Sequence, residues 1–173
     1  MELSAAQRER YERNLLVEGF TDRMQQALIA ARVAVVGAGG LGSAALNYLV
    51  AAGVGHLTLI ENDTVSLSNL QRQVLYTTAD MGRPKAEVAA MRLSRLNPGC
   101  DIRVVTDRLT AANAAGLLGG HDAVVDCTDN YDARYVIDDF CREAEVPMIY
   151  GTAEAVGGQV AVFHAGGAGG YRD

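Results

Sequence analysis

Cysteine is scarce in this chain and carries no pattern. Cys100, Cys127 and Cys141 are odd in number and show no CxxC spacing, so neither a disulfide framework nor a zinc site is indicated. A basic excess is missing as well. Fifteen Lys+Arg stand against 21 Asp+Glu, a net charge of -6, which argues against a general nucleic-acid or membrane-surface binder, because phosphate backbones call for clustered Lys and Arg. No apolar run is long enough to span a bilayer, since the stretch 44–54 is too short and contains Asn47. The opening residues are charged (Arg8, Glu9, Arg10, Glu12, Arg13) and hold no apolar signal-peptide core. Internal repeats are also lacking. These absences leave a soluble, reduced, cytoplasmic domain with no nucleic-acid or membrane partner as the expectation.

What is present is ordinary in bulk and specific in detail. A chain of 173 residues, 49% hydrophobic and 21% charged, is of single-domain length and large enough to bury a real core. Residues 4–18 and 22–31 read as two short helices. Val33–Val36 is an uninterrupted β-branched and apolar run, the pattern of a strand buried on both faces. A helix over 41–52 follows, ended by Gly53 and Gly55, then a strand over 57–60 closed by Glu61-Asn-Asp63. Residues 64–82 lack clean periodicity and read as a functional loop with short helical turns. Pro84 opens a helix over 85–96, stopped by Asn97-Pro98-Gly99. Strands over 102–106, 123–127 and 148–150 alternate with helices over 110–118 and 131–144, and 157–163 reads as a further strand. This alternation predicts a Rossmann-like, doubly wound, mostly parallel α/β sheet with helices on both faces. The chain divides into an N-terminal helical segment (1–31), a Rossmann-like core (32–164) and a flexible glycine-rich tail (165–173), all in one domain.

Gly37, Gly39 and Gly42 fit G-x-G-x-x-G, and Gly40 adds a fourth glycine. Missing Cβ atoms let the backbone turn tightly and approach a ligand, and the helix start at Leu41 offers free N–H groups at its positive dipole end. Glu61, about 20 residues on, is the acidic side chain expected to hold a ribose hydroxyl. Alone, the motif marks a nucleotide site and leaves the chemistry open. A nicotinamide or flavin enzyme is what such a fingerprint most often signals, and a merely structural turn is the bland alternative.

The polar residues downstream argue for different chemistry. Hydride transfer has no need of an arginine, a lysine and a cation-binding aspartate around the phosphates. Nucleotidyl transfer needs all three, because charge develops on the α-phosphate and on the departing pyrophosphate. Arg72 and Lys85 follow the second strand, at the carboxyl edge where α/β folds bind ligands. Asn69 and Gln71 are donors suited to phosphate oxygens. Asp129 lies just past the fourth strand and is a hard oxygen ligand of the kind Mg²⁺ takes. Asp126, at that strand's end, is placed to bond the glycine turn. Each has a plain alternative: a solvated charge for Arg72 or Lys85, a helix N-cap for the pair Asp129-Asn130. Their convergence on one sheet edge favours function.

Gly37-Ala-Gly-Gly-Leu-Gly42, Asp63-Thr-Val-Ser-Leu-Ser-Asn-Leu-Gln-Arg-Gln73, Gly82-Arg-Pro-Lys85, Asn97-Pro98 and Asp126-Cys-Thr-Asp-Asn130 closely resemble the motifs of the ThiF/MoeB/HesA family, the bacterial relatives of ubiquitin-activating enzymes. Arg10-Tyr-Glu-Arg-Asn14 resembles the family's opening motif. The resemblance covers nearly the whole chain. It implies an adenylyltransferase that uses ATP and Mg²⁺ to adenylate the C-terminal glycine of a ThiS/MoaD-type ubiquitin-like sulfur carrier, releasing pyrophosphate, in thiamine or molybdopterin biosynthesis. By the resemblance, Gly40 and its neighbours would line the adenosine and phosphate site, and Glu61 would hold the ribose where the family commonly has Asp. Ser68, Asn69 and Arg72 would contact phosphates, Arg72 stabilising the transition state. Lys85 would bind phosphate, Asp129 would position Mg²⁺, and Gln71, Asp63 and Asn130 fall within the same nucleotide-binding motifs. Arg13 would reach into a partner subunit's site, which demands a homodimer. A sulfur donor is a further candidate partner.

Departures from the pattern set further expectations. Family members often carry zinc on two CxxC pairs, and the first pair would fall at Gly170-Tyr-Arg-Asp173, where neither cysteine is present, so no zinc is expected. The family's crossover loop, its cysteine and its carrier-gripping strands would follow residue 173. The expectation is a fragment or trimmed adenylating enzyme, or a shortened relative with impaired carrier binding. Cys127, expected at a buried strand end, is a poor sulfur-transfer nucleophile. Two rival readings remain: an NAD(P)- or flavin-dependent oxidoreductase, and a non-catalytic dimeric nucleotide-binding module.

Overall fold

The computed structural model describes residues 2–172. Six strands form one sheet: β1 (Arg32–Val36), β2 (His56–Ile60), β3 (Asp101–Val105), β4 (Ala123–Asp126), β5 (Met148–Glu154) and β6 (Gly157–Phe163). Their spatial order is β3-β2-β1-β4-β5-β6. The first five run parallel and β6 returns antiparallel to β5. The helices are α1 (Ala5–Arg10), α2 (Glu12–Leu15), α3 (Asp22–Ala30), α4 (Gly40–Ala52), α5 (Lys85–Leu96), α6 (Ala114–Leu118) and α7 (Tyr131–Ala144). The expected α/β class is the observed one. None of the described helices is long and apolar enough to cross a membrane.

Alternation along β1 shows why the sheet needs cover on both sides. Val33 and Val35 enter one apolar layer, with Leu46 and Val50 of α4 and Val88 and Leu93 of α5. Ala34 and Val36 enter the opposite layer, with Ile137 and Cys141 of α7 and Met148 of β5. A strand apolar at every position is stable only between two such layers. The chain runs outward from β1 to β2 and β3, then returns to pair β4 on the other side of β1. Val36 therefore stands in register with Ile60 on one side and Asp126 on the other. The connections after β1 and β4 diverge at this switch point and open a crevice beyond the carboxyl ends of the strands.

The expected single helix over 4–18 is instead two, interrupted at Tyr11. Ser4 and Gln7 start α1 with a reciprocal capping box. Tyr11 then leaves helical geometry (φ −104°, ψ 15°) and buries its ring, with its hydroxyl accepting from Asn97 Nδ2 at 2.9 Å. Tertiary packing has overridden helix propensity here. The same corner satisfies the carbonyl end of α4. Asn14 Nδ2 and Gln25 Nε2 both donate to Ala52 O (3.1 and 3.0 Å), and Asn97 Nδ2 also donates to Val50 O (2.9 Å). Three neutral amides thus serve carbonyls of the last turn of the helix, where intrahelical partners run out.

Two further boundaries differ. The helix expected over 110–118 is confined to Ala114–Leu118, because Asn113 Oδ1 accepts from Thr110 N while its Nδ2 donates to Arg108 O, both earlier in the chain, and holds a turn instead. The strand expected over 148–150 runs on to Glu154 and joins β6 through a tight turn in which Ala155 takes a positive φ of 45°. The segment read as a loose tail makes definite contacts: Tyr171 N donates to Asp138 Oδ1 (2.8 Å), and the Tyr171 ring packs on Tyr150 and Phe163.

Candidate nucleotide site

The glycine turn is fixed by its own backbone before any ligand is considered. Gly37 has φ +95°, and a Cβ there would lie 2.8 Å from Cys127 O. A Cβ at Gly42 would lie 2.1 Å from Gly37 O, a distance no side chain can adopt. These two glycines therefore let β1, α4 and the end of β4 approach one another. Gly39 and Gly40 differ, for a Cβ there would meet side chains rather than backbone, Gln73 Nε2 at 3.6 Å and Arg72 Cγ at 3.4 Å. The N-terminus of α4 lacks a side-chain cap, so its first N–H groups stay available at the positive end of a 13-residue helix.

A cavity of about 710 Å³ occupies the switch-point crevice. Gly37, Gly39, Gly40, Glu61, Asp63, Arg72, Lys85, Asp129 and Asn130 all line it. Its size is that of a small-molecule site, which spans roughly 300–1,000 Å³. Lys85 begins α5 and is 4% exposed, with Nζ 3.0 Å from Asp63 Oδ2. Backbone bonds zip the flanking strands of chain together, Lys85 N to Asp63 O and Val65 N to Arg83 O (both 2.9 Å), which delivers the lysine to the rim. Arg72 lies across Gly40, its Cγ 3.4 Å from where a Cβ would stand. Glu61 spreads its carboxylate between Ala38 N (2.8 Å) and Asp63 N (2.9 Å), tying the glycine turn to the end of β2. Asp129 is exposed and has no ion-pair partner among the described residues, while Asn130 caps α7 by accepting from Ala133 N at 2.9 Å.

Residues 11–173 match the model of the ThiF family. The chain belongs to that family. It is 49% identical over 162 residues to the molybdopterin-synthase adenylyltransferase of Salmonella typhimurium, covering 94% of this chain and 65% of that protein. It is 42% identical over 153 residues to the sulfur carrier protein ThiS adenylyltransferase of Escherichia coli, covering 88% of this chain and 61% of that one. Among solved structures, the E. coli tRNA N6-threonylcarbamoyladenosine dehydratase TcdA in complex with ATP superposes with a TM-score of 0.81 at 32% identity, covering 87% of this chain and 61% of that chain. The chain thus spans less than two thirds of the length of these relatives.

Several sequence expectations sit elsewhere than on the cavity. Gly42, Ser68, Asn69 and Gln71 are not among its lining residues, and Arg13 is an exposed side chain of α2. Ser68 and Asn69 form a single 3₁₀ turn, and Ser68 O accepts from Arg72 Nη1 at 3.4 Å. Asp126 does not bond the glycine turn. It is fully buried and pairs with Arg134 Nε (2.9 Å), while its other oxygen accepts from Thr128 N and Oγ1 (2.9 and 2.6 Å). Burial opposes the charge of Arg134, but hydrogen bonds to Tyr171 and Asp126 outweigh it and hold the guanidinium above its usual value. Cys127 stands just past β4, half-buried and on the cavity wall, and burial beside Asp126 pushes its thiol up to about 12.

The cavity also enlists residues that sequence reasoning missed. Asp107, Arg108 and Leu109 reach it from the end of β3, and Thr152 from β5. Gln73 is 3% exposed, with Oε1 unpaired and Nε2 3.6 Å from the Cβ position of Gly39. Its place beside Arg72 in the Gln-Arg-Gln run was a visible signal. Nothing in the run alone shows that the second glutamine is buried and the first exposed.

Proposed function

We propose that this chain is the nucleotide-binding part of an adenylyltransferase that activates the C-terminal glycine carboxylate of a ubiquitin-like sulfur carrier with ATP. The observation that carries the reading is the meeting of an uncapped helix N-terminus, Arg72, Lys85 and the unpaired carboxylate of Asp129 on one cavity. That donor set suits a polyphosphate with its divalent cation. The named activities of the relatives and the ATP complex of TcdA support the same ligand. A nicotinamide or flavin reading leaves these charges without work.

In this mechanism the carrier carboxylate is the nucleophile. It attacks the α-phosphorus in line, the bond to the bridging oxygen breaks, and pyrophosphate leaves with the electron pair. The chain contributes position and charge neutralisation rather than a covalent intermediate. Free N–H groups of α4, that of Gly40 among them, would receive phosphate, Lys85 and Arg72 would neutralise it, Asp129 would hold Mg²⁺, and the remaining lone pairs of Glu61 would accept from ribose. Arg13 would act across a homodimer, an arrangement supported by exposed apolar side chains on Tyr48 of α4 and on Leu67 and Val74 of the long loop. A cytoplasmic enzyme without zinc, serving thiamine or molybdopterin-type sulfur transfer with a separate sulfur donor, completes the reading. Of the four positions that replace the first CxxC pair, Asp173 lies outside the described residues.

The test is ATP–pyrophosphate exchange in the presence of a carrier ending in Gly-Gly. Exchange should require the carrier and fall by at least about a hundredfold in Arg72→Ala, the scale of removing one transition-state donor. Exchange that Arg72→Ala leaves unchanged refutes the mechanism.

A further inference from the structure

The residue pattern behind Asp129 is as ordered as the cavity in front of it. Arg134, in the first turns of α7, has a side chain only 6% exposed. Its guanidinium makes three directed bonds: Nε to Asp126 Oδ2 (2.9 Å), Nη2 to Thr128 O (3.0 Å) and Nη1 to Tyr171 Oη (3.4 Å). It also sits 4.7 Å from the ring centroid of Tyr150 and 5.4 Å from that of Tyr171. Asp126 completes the arrangement by accepting from both the amide and the hydroxyl of Thr128. Thr128 therefore has its N–H, its hydroxyl and its carbonyl all committed.

Asp129 follows directly. Its other neighbour, Asn130, is fixed as the cap of α7. Asp129 is thus a free carboxylate held between two immobilised residues, which is how a cation ligand gains a defined direction. The planar fork of arginine is needed for this, since a lysine ammonium in the same place cannot bond Asp126 and Thr128 O while stacking on two rings. Tyr171 forms one wall of the seat and is itself fastened by its amide to Asp138 Oδ1 (2.8 Å), an atom that also lies 2.7 Å from His164 Nε2.

We propose that Arg134 is a positioning residue for the Asp129 loop, and that Tyr171 completes its seat, so that the segment after β6 tunes cation-dependent nucleotide binding from behind the site. This rests on the reading that Asp129 serves a magnesium–nucleotide complex. A buried ion pair with no such role would lower stability when broken and leave the benefit of the cation intact.

The full chain is titrated with ATP by calorimetry, once with Mg²⁺ and once with EDTA, and melted in parallel. Arg134→Lys should reduce the Mg²⁺-dependent gain in affinity by about 10- to 100-fold, the usual cost of disturbing a ligand's supporting partner. Binding in EDTA should change less than about twofold, since the phosphate-facing residues are untouched. Tyr171→Phe keeps the ring and removes only the hydroxyl, so it should lose part of the same gain. A lower melting temperature with an unchanged Mg²⁺ gain overturns the proposal, as does an equal loss with and without the cation. Should Arg134→Lys not fold, Tyr171→Phe decides: a reduced gain supports the proposal and an intact one overturns it. Wild-type chain that binds no ATP in either condition overturns the functional reading beneath it, whereas normal wild-type binding confines any failure to Arg134.

Discussion

Asn97→Ala removes one buried side chain that serves three partners at once. Asn97 is 1% exposed, its Nδ2 donates to Tyr11 Oη and Val50 O (2.9 Å each), and its Oδ1 accepts from Gly99 N (3.1 Å). At about 1 kcal/mol net per hydrogen bond, the three amount to roughly 3 kcal/mol. In a chain of this size that corresponds to a fall of about 6–12 °C in Tm. Urea denaturation followed by circular dichroism measures it directly, with an unchanged m value marking a pure stability effect. Tyr11→Phe alone should cost about 1 kcal/mol and should cost little more once Asn97 is gone, since the two share one bond. A loss below about 1 kcal/mol in Asn97→Ala, or strict additivity of the pair, would refute the view that this amide pins the N-terminal helices to α4.

Glycine identity should separate fold from ligand. Gly42→Ala should destabilise by about 3 kcal/mol or more, whereas Gly39→Ala, whose Cβ meets only Gln73 Nε2 at 3.6 Å, should melt like wild type; equal melts for the two would sink the distinction. All three thiols are held up by burial first and by a neighbouring aspartate second, Cys100 to about 11 and Cys127 and Cys141 to about 12. The folded chain should therefore react with a thiol reagent at pH 8 on the order of a hundredfold or more slower than free cysteine, and one rapid equivalent would contradict this. Asp80 is held below the usual carboxylate range, chiefly by the Thr77 hydroxyl, then by the Thr77 amide with Arg92 and Arg83, against an opposing burial penalty. Its stabilisation is present above a pH of about 4 and lost as pH falls through the lowered value, so the stability gap between wild type and Asp80→Asn should narrow in acid. A constant gap from neutral pH to pH 3 would show that the charge is idle.

The parts of the fold legible in sequence are those where one local pattern has one physical solution. Val33–Val36 could only be a strand covered twice, and a glycine turn after it could only lead into a helix. The order of such units puts Gly40, Lys85 and Asp129 at one edge without any knowledge of side-chain placement. What escaped was set by partners distant in sequence. Tyr11 breaks a helix because a pocket 86 residues away in the chain receives its hydroxyl. Asp126 turned to Arg134 rather than to the glycine turn because the guanidinium offers a charge and two more bonds in the same plane. Arg108 reaches the cavity from the segment after β3 and Thr152 from β5, and neither stretch of sequence carries a motif.

Helix α4 meets the cavity at one end and receives Asn14, Gln25 and Asn97 at the other. Thirteen residues at 1.5 Å each make it a rod of about 20 Å. Each degree of tilt about one end moves the other by about 0.35 Å, by the same geometry. The grip of these amides on the far tip is therefore also a grip on the phosphate-facing tip, and a chain lacking α2 and α3, with Asn14 and Gln25, would lose alignment at a place those helices never touch.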